Sequence, residues 1–279
     1  MKVKVLESKA NRLGFVIEST EPHIANALRR TLIADIPKMA IEDVEFHLGP
    51  IRGEDGKEYE SIAPLFDEVI AHRLGMIPLP TDLQLFVRRE ECKSCNGEGC
   101  PSCTIIYSLN KKGPCMVMSG DLEPIGDTKL KPVDESIPIV KLGDGQAMLV
   151  YATAVLGTAR EHAKWQVAAG VGYKYYPVVD IDNRKMNAAK APVDVCPVNI
   201  LKIRDKKVAV EGEEKCTLCM QCVEAFDPGS ISVKGDPTRI IFHFETDGSM
   251  RADEALNAAL DTLDKKLSDL AATVDSLGE

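Results

Sequence analysis

The stretch Cys216-Thr217-Leu218-Cys219-Met220-Gln221-Cys222 decides the fold of the region around it, because its three cysteines are spaced two residues apart. A fourth cysteine, Cys196, lies upstream and is followed at once by Pro197. A tight Cys-x2-Cys-x2-Cys loop and one remote cysteine can bring four thiolates around a compact iron-sulfur cube. The sequence therefore predicts one iron-sulfur cluster, 4Fe-4S or a 3Fe-4S form that has lost one iron. Its predicted ligands are Cys196, Cys216, Cys219 and Cys222.

The positions of a second cluster can be compared with those of bacterial two-cluster ferredoxins. There, each Cys-x2-Cys-x2-Cys-x3-Cys-Pro run gives three thiolates to one cluster and its fourth to the other. The positions that would ligate the other cluster are occupied here by Met186, Ala189, Pro192 and Phe226. Residues 183–235 thus resemble a ferredoxin module that keeps one cluster, which would stabilise a segment with little core of its own. The alternative is a relic fold whose cysteines are free or disulfide-linked.

A second group of cysteines has the spacing Cys-x2-Cys-x4-Cys-x2-Cys and consists of Cys92, Cys95, Cys100 and Cys103. Gly97 and Gly99 allow the short spacer between the two pairs to turn. Tetrahedral zinc takes four thiolates and needs no redox chemistry, so the spacing predicts one zinc ion. The spacer is shorter than in typical zinc ribbons, and free thiols or an iron-sulfur site are the alternatives. Cys115 stands alone and is expected to be a small buried hydrophobe.

The bulk composition limits the classes of function. The chain has 279 residues, 44% of them hydrophobic, which suffices for two or three domains. Its net charge of −9 argues against a broad nucleic-acid-binding face, so no direct DNA binding is expected. The N-terminus lacks a signal-peptide pattern, and no run of about 18 apolar residues suggests a membrane span. Eight of the nine cysteines fall in two groups, which indicates metal ligands that are kept reduced, because disulfide frameworks are typical of small secreted proteins. We therefore expect a cytoplasmic protein without structural disulfides.

Two helices carry apolar stripes that suit a partner. The first is predicted to start near Thr20 and Pro22 and to end before Pro37, with Ile24, Ala27, Leu28 and Leu32 on one face. The second lies at the C-terminus and repeats leucine at alternating steps of four and three, beginning with Leu256, Leu260, Leu263 and Leu267. A seam with this period of about 3.5 predicts a partner helix. The alternative is that the helix packs only on its own domain.

Shorter elements are predicted between these helices. Residues 1–18 read as a hairpin, 48–58 as a charged loop, 67–74 as a short helix, 200–210 as a hairpin and 240–244 as a strand.

Several longer motifs resemble those of the alpha-type assembly subunits of DNA-directed RNA polymerase. The segment Ala25-Asn26-Ala27-Leu28-Arg29-Arg30-Thr31-Leu32 is similar to the signature helix of that family. Further similar motifs are 67–79, beginning Asp67-Glu68-Val69-Ile70, then 161–165 and 244–249. Together with the ferredoxin-like insert, these motifs resemble the archaeal branch of the family.

The resemblance implies an α+β fold with three parts. Residues 1–48 and 236–279 would form a discontinuous dimerisation domain. Residues 49–182 would form an inserted, mixed β-rich domain that contains Cys92, Cys95, Cys100 and Cys103, which together make up the cysteine knuckle. Residues 183–235 would form the ferredoxin-like iron-sulfur domain. In this family the dimerisation domain pairs with the small subunit L. The pair, joined by subunits N and P, forms a platform on which the two large catalytic subunits assemble. The apolar stripes of the two helices described above are the expected interface with the partner subunit.

The chain carries no pattern expected of an enzyme acting alone. It has no glycine-rich phosphate loop, no nucleophile elbow and no acidic run for the Mg²⁺ ions of nucleotidyl transfer. The sequence therefore predicts a non-catalytic assembly subunit, with catalysis supplied by the assembled polymerase. The alternatives are a ferredoxin-type electron carrier or oxidoreductase subunit, and a zinc-dependent chaperone.

Overall fold

The computed structural model describes residues 1–52, 56–187 and 191–277, so Ala189 lies outside the described residues. Within these ranges the fold is mixed α and β and rich in strands. The strands are β1 Lys2–Lys9, β2 Arg12–Glu18, β3 Lys38–Phe46, β4 Pro50–Arg52, β5 Glu58–Glu60, β6 Thr104–Lys112, β7 Cys115–Met118, β8 Glu123–Pro124, β9 Pro138–Leu142, β10 Ala147–Gly157, β11 Ala168–Ile181, β12 Leu201–Arg204, β13 Lys207–Val210 and β14 Ile231–Thr246. The α-helices are α1 Pro22–Ala34, α2 Asp67–Gly75, α3 Gln221–Ala225 and α4 Ala252–Leu277.

The chain divides into two compact units, each built from separate stretches of sequence. The first unit comprises Met1–Ser8, Leu13–Arg29 and Val171–Phe244. The second comprises Lys9–Arg12, Arg30–Gly170 and Glu245–Glu279. No helix among the described residues has both the length and the apolar character needed to cross a membrane.

The first unit contains a four-stranded sheet in the order β1-β2-β14-β11. The predicted N-terminal hairpin is confirmed, because β1 and β2 are neighbours in this sheet. Strand β2 buries the consecutive residues Phe15, Val16 and Ile17. The ring of Phe15 stacks on that of Phe242 in β14 at a centroid distance of 5.4 Å. Strand β14 also contains the predicted strand at 240–244, and β11 forms one edge of the sheet.

A second small core of the first unit surrounds the predicted iron-sulfur ligands. Strands β12 and β13 pair from Leu201 with Val210 to Arg204 with Lys207, which confirms the predicted hairpin. Asp205 and Lys206 between them both have positive φ, as a two-residue type I′ turn requires. The buried members of this core are Cys196, Ile200, Leu201, Val208, Cys216, Phe226, Ile231 and Val233.

The second unit is built on an antiparallel sheet in the order β3-β10-β6-β8. Strand β10 pairs with β3 on one side and β6 on the other, and a bulge lies between Thr153 and Ala154 where it meets β3. Helix α2 confirms the predicted helix at 67–74, and its Ile70 and Leu74 are fully buried in the core of this unit. The buried Tyr107 hydroxyl donates a hydrogen bond to the Leu130 carbonyl at 2.6 Å.

One predicted boundary is confirmed and another differs from the structure. Helix α1 begins at Pro22, as predicted, and ends at Ala34, before Pro37. The Thr20 amide donates to the Thr238 carbonyl at 3.2 Å, while its buried hydroxyl has no hydrogen-bond partner among the described residues. The predicted loop at 48–58 contains a short hairpin instead, since β4 pairs with β5 from Pro50–Glu60 to Arg52–Glu58. The sequence did not predict this hairpin, because each strand has only three residues and the segment is rich in charge. Residues 53–55 lie outside the described part of the chain.

Helix α4 is the longest described helix, with 26 residues, and it is buried only near its start. The buried side chains are those of Ala252, Ala255 and Ala259. Further along, Lys266 donates to the Asp35 carboxylate at 2.6 Å, and Arg160 also binds that carboxylate. Beyond Lys266 every described residue of the helix is exposed.

Candidate metal centres

The four cysteines at 92–103 form a compact group in the second unit. All four Sγ atoms lie within 4.8 Å of one another. The Sγ–Sγ distance is 3.6 Å between Cys92 and Cys100 and 3.6 Å between Cys95 and Cys103. It is 3.8 Å between Cys100 and Cys103. Thiolates placed at about 2.3 Å from one tetrahedral ion lie about 3.8 Å from each other. The group therefore has the size of a four-thiolate site for one metal ion.

Two tight turns bring these thiols together. The Cys92 carbonyl accepts the amide of Asn96 at 3.0 Å, and the Cys100 carbonyl accepts the amide of Cys103 at 2.9 Å. The spacer between the pairs needs left-handed backbone at Gly97 (φ 91°) and Gly99 (φ 108°). A side chain would strain both positions, which explains the glycines of this spacer.

The surroundings of the thiols set their charge. The Gly99 amide donates to Cys95 Sγ at 3.3 Å, and this hydrogen bond lowers the pKa of the Cys95 thiol to about 6. Burial raises the pKa of Cys103 to about 12. At neutral pH these opposite shifts favour a thiolate at Cys95 and a protonated thiol at Cys103 until a cation binds. A metal ion would favour the thiolate form of all four.

Arg89 supports the spacer from outside the ligand set. Its Nε donates to the Gly97 carbonyl at 2.8 Å, and its Nη2 donates to the Glu98 carbonyl at 3.0 Å. Sequence reasoning missed this residue, because an arginine three residues before Cys92 looks like an ordinary surface charge. The neighbouring Arg88 points elsewhere and pairs with Glu161.

The four predicted iron-sulfur ligands line one cavity in the first unit. They share it with mostly apolar side chains: Val179, Val198, Ile200, Leu201, Thr217, Met220 and Val233. Cys196 and Cys216 are buried, Cys222 is half-buried and Cys219 is exposed. Four thiols in an apolar cavity are the donor set and surroundings that an iron-sulfur cluster takes.

Local backbone geometry aims these cysteines at the cavity. Cys196 and Cys216 each follow a single 3-10 turn, at Val193–Val195 and Glu213–Lys215, and Cys222 lies in α3. Leu218 and Met220, between the clustered cysteines, have positive φ values of 57° and 66°. Among the described residues, these four thiols are not gathered as tightly as those of the knuckle. Ligands of a cube are expected to be farther apart, because iron and sulfide lie between them.

Two of the positions that would ligate a second cluster are filled by apolar side chains. Phe226 is a buried member of the small core, and Met186 is half-buried against it. A large ring thus fills the place at which a fourth thiolate would stand.

Strand β11 holds the segment that contains Cys216. The ammonium of Lys174 donates to the Cys216 carbonyl at 2.7 Å, and the amide of Val179 donates to Glu213 Oε1 at 2.7 Å. Burial lowers the pKa of Lys174, opposed by the negative charges of Cys216 and Glu214. Lys174 lies 42 residues from Cys216, so no local sequence signal could have found it.

The residues predicted for the partner interface fall into three groups by exposure. Leu28 and Leu32 are 5% and 1% exposed and belong to this chain's own core, so their side chains are not available to a partner. Ala27, Leu256 and Leu263 are half-buried. Ile24, Leu260 and Leu267 are exposed, as are the later seam residues Leu270, Val274 and Leu277.

Comparisons with known proteins agree with this architecture. A family model described as the RNA polymerase Rpb3/RpoA insert domain matches residues 51–173. The chain is 47% identical to DNA-directed RNA polymerase subunit Rpo3 of Thermoplasma volcanium, over 94% of this chain and 95% of the relative. It is 46% identical to the Rpo3 subunit of Picrophilus torridus over 99% of both chains, and 37% identical to that of Methanosphaera stadtmanae over 97% of both.

The matched Rpb3/RpoA insert domain and the near full-length relatives together place the chain in the class of alpha-type subunits of RNA polymerase. Within that class, the relatives that match over nearly the whole length of both chains are Rpo3 subunits. The chain belongs to the family of the archaeal DNA-directed RNA polymerase subunit Rpo3.

Proposed function

We propose that this chain is an assembly subunit of an archaeal DNA-directed RNA polymerase and that it pairs with the small subunit L. The observation that carries this proposal is the 47% identity to an Rpo3 subunit over nearly the whole of both chains. The chain supplies no catalytic residue. Nucleotidyl transfer belongs to the assembled polymerase, in which this chain acts as a scaffold in transcription.

The exposed part of α4 is the best candidate surface for subunit L. Leu267, Leu270, Val274 and Leu277 are 64%, 59%, 58% and 81% exposed, and they continue one seam along the helix. A row of leucines facing water is unfavourable, and a second helix with a matching seam would bury it. Ile24 on α1 is a further exposed apolar side chain of the predicted interface. Leu28 and Leu32 lie in the chain's own interior and would not contact the partner.

Subunits N and P and the two large catalytic subunits are the further proposed partners. They follow from the family membership and not from a particular surface of this chain. We expect the paired chain to form the platform on which the large subunits assemble, without direct contact to DNA.

The cysteine knuckle is proposed to hold zinc. Three of its Sγ–Sγ separations are 3.6 to 3.8 Å and all lie within 4.8 Å, which suits four thiolates on one tetrahedral ion. Cys92, Cys95, Cys100 and Cys103 would be the ligands. The ion would fix the two turns relative to each other and would act structurally, because all four coordination positions are taken by protein.

The cavity of the first unit is proposed to hold one iron-sulfur cluster through Cys196, Cys216, Cys219 and Cys222. Four thiols facing one apolar cavity support this ligand set. When bound, such a group can supply one-electron chemistry, but a single site without a neighbouring cluster favours a structural role. Residues 183–235 would then be the ferredoxin-like domain, between an insert domain at 49–182 and a dimerisation domain at 1–48 and 236–279. A cytoplasmic location is proposed from the reduced cysteines.

The proposal is tested by tagging the chain in its native cell and purifying it under strictly anaerobic conditions. Mass spectrometry of the bound proteins is expected to find subunit L at one copy per chain, together with the large polymerase subunits. Metal analysis of the same sample is expected to find both iron and zinc. A monomer that co-purifies with a flavoprotein and reduces it would instead support the electron-carrier alternative and refute the scaffold function.

A further inference from the structure

Lys174 is a half-buried cation beside the cavity of the four cysteines. It lies in β11, and its ammonium donates to the Cys216 carbonyl at 2.7 Å. Among the described residues Lys174 makes no ion pair, and the negative charges that act on it are those of Cys216 and Glu214. Removing an ammonium from water without an anionic partner is unfavourable. A negative group in the cavity next to Cys216 would therefore add to these charges in compensating the half-buried ammonium.

The loop that contains Cys216 is attached to β11 at two points. The first is the Lys174 hydrogen bond, and the second joins the Val179 amide to Glu213 Oε1 at 2.7 Å. The side chain of Val179 also lines the cavity. Strand β11 thus supplies an apolar wall, a backbone donor and a cation to one side of the site.

We propose that Lys174 is a positioning and charge-compensating residue for the iron-sulfur site. This inference rests on the proposed ligand set of Cys196, Cys216, Cys219 and Cys222. An iron-sulfur cluster bound by four thiolates is anionic, and its reduced form carries one more negative charge. The ammonium attracts both forms and the reduced form more strongly, while its hydrogen bond fixes the backbone of a buried ligand. Lys174 therefore raises the reduction potential and slows the loss of iron.

The test compares three substitutions in the full chain purified without oxygen. Lys174→Met removes the charge and keeps the length of the apolar stem, and Lys174→Arg keeps a positive donor. Lys202→Met is the matched control, because Lys202 is an exposed lysine of β12 in the same module. Each protein is analysed for iron per chain, for reduction potential by a titration followed with electron paramagnetic resonance, and for the rate of iron release to a chelator.

We expect Lys174→Met to have a more negative potential and a several-fold faster release of iron than the wild type. Lys174→Arg should retain most of the wild-type potential, and Lys202→Met should match the wild type. Equal potentials and release rates for the two Met variants would overturn the role of Lys174. Failure of Lys174→Arg to restore the potential in a protein with full iron content would overturn its charge-compensating part. Wild-type protein without iron would instead refute the cluster itself, before any variant is compared.

Discussion

At the scale of single residues, both candidate metal centres depend on side chains that are not ligands. Arg89 holds two carbonyls of the knuckle spacer, and Lys174 and Glu213 hold the loop of Cys216. Such supporting contacts orient the ligands, and their loss typically weakens metal binding about 10- to 100-fold.

The first prediction concerns Arg89→Ala. The substitution removes both hydrogen bonds to the spacer, so the two cysteine pairs lose their fixed separation. We expect zinc to be released about 10-fold faster to a chromogenic chelator, because supporting residues of metal sites contribute on this order. Arg88→Ala is the control, since Arg88 pairs with Glu161 and Glu90 and not with the spacer. Equal release rates for the two variants would contradict the prediction.

The second prediction concerns Asp35, whose side chain is only 6% exposed between Lys266 and Arg160. Burial raises the pKa of Asp35, but the hydrogen bonds and charges of Arg160 and Lys266 outweigh burial and place the pKa below its ordinary value. A carboxyl group with a lowered pKa stabilises the fold above its unfolded-state pKa of about 4, and this contribution is lost as the pH falls through the folded-state pKa.

Asp35→Asn is therefore expected to lower the free energy of unfolding by about 1–3 kcal/mol at pH 7. The difference from the wild type should shrink below about pH 4. Urea unfolding at a series of pH values measures both effects. Asp264→Asn, an exposed change on α4, should leave the free energy of unfolding nearly unchanged. A destabilisation by Asp35→Asn that stayed constant down to about pH 2 would show that the charge is not its cause.

At the scale of elements, the environment of α4 changes along its length. Its first turns bury alanines within the chain, and small side chains allow close packing there. Its last three turns present leucine and valine to solvent. The seam period of about 3.5 is the same throughout, so periodicity alone could not show where internal packing ends.

The third prediction uses this exposed part of α4. Leu267→Asp or Leu270→Asp places a charge in the proposed contact with subunit L and should weaken pairing by at least about 10-fold, as truncation of central interface residues does. Binding to purified subunit L, measured by titration calorimetry, gives the affinity. Ala272→Asp is the matched control, because Ala272 is also exposed but lies on the opposite side of the helix. Similar losses for the control would argue against a seam-directed contact.

At the scale of the whole molecule, the proposed iron-sulfur site and the exposed part of α4 fall in different units. All four proposed iron-sulfur ligands belong to the first unit, and α4 belongs to the second. Because the energy of binding a metal group is also folding energy, loss of the cluster should affect the first unit most. Pairing through α4 should be less sensitive.

The fourth prediction follows from this division. Cys216→Ser should reduce the yield of assembled polymerase several-fold, while pairing with subunit L changes less. Co-expression followed by affinity purification gives both yields, and iron analysis confirms loss of the cluster. Cys115→Ser is the control, since Cys115 lies in β7, outside both cysteine groups. An unchanged yield of holoenzyme from iron-free protein would remove the link between the cluster and assembly.

The sequence determined by itself the features that depend on local spacing. Cysteine intervals identified both thiol groups, period-two and period-3.5 patterns identified the hairpins and α4, and ordered motifs identified the family. These signals are local because turns and helices bring residues close in sequence to fixed places in space.

The tertiary structure alone decided what each feature faces. It placed Leu28 and Leu32 in the interior and the end of α4 in solvent. It also brought Lys174 to Cys216 across 42 residues and aimed Arg89 at the knuckle spacer. Burial and long-range contacts arise when segments distant in the sequence pack together. The residue pattern within one segment does not indicate which other segment it will contact.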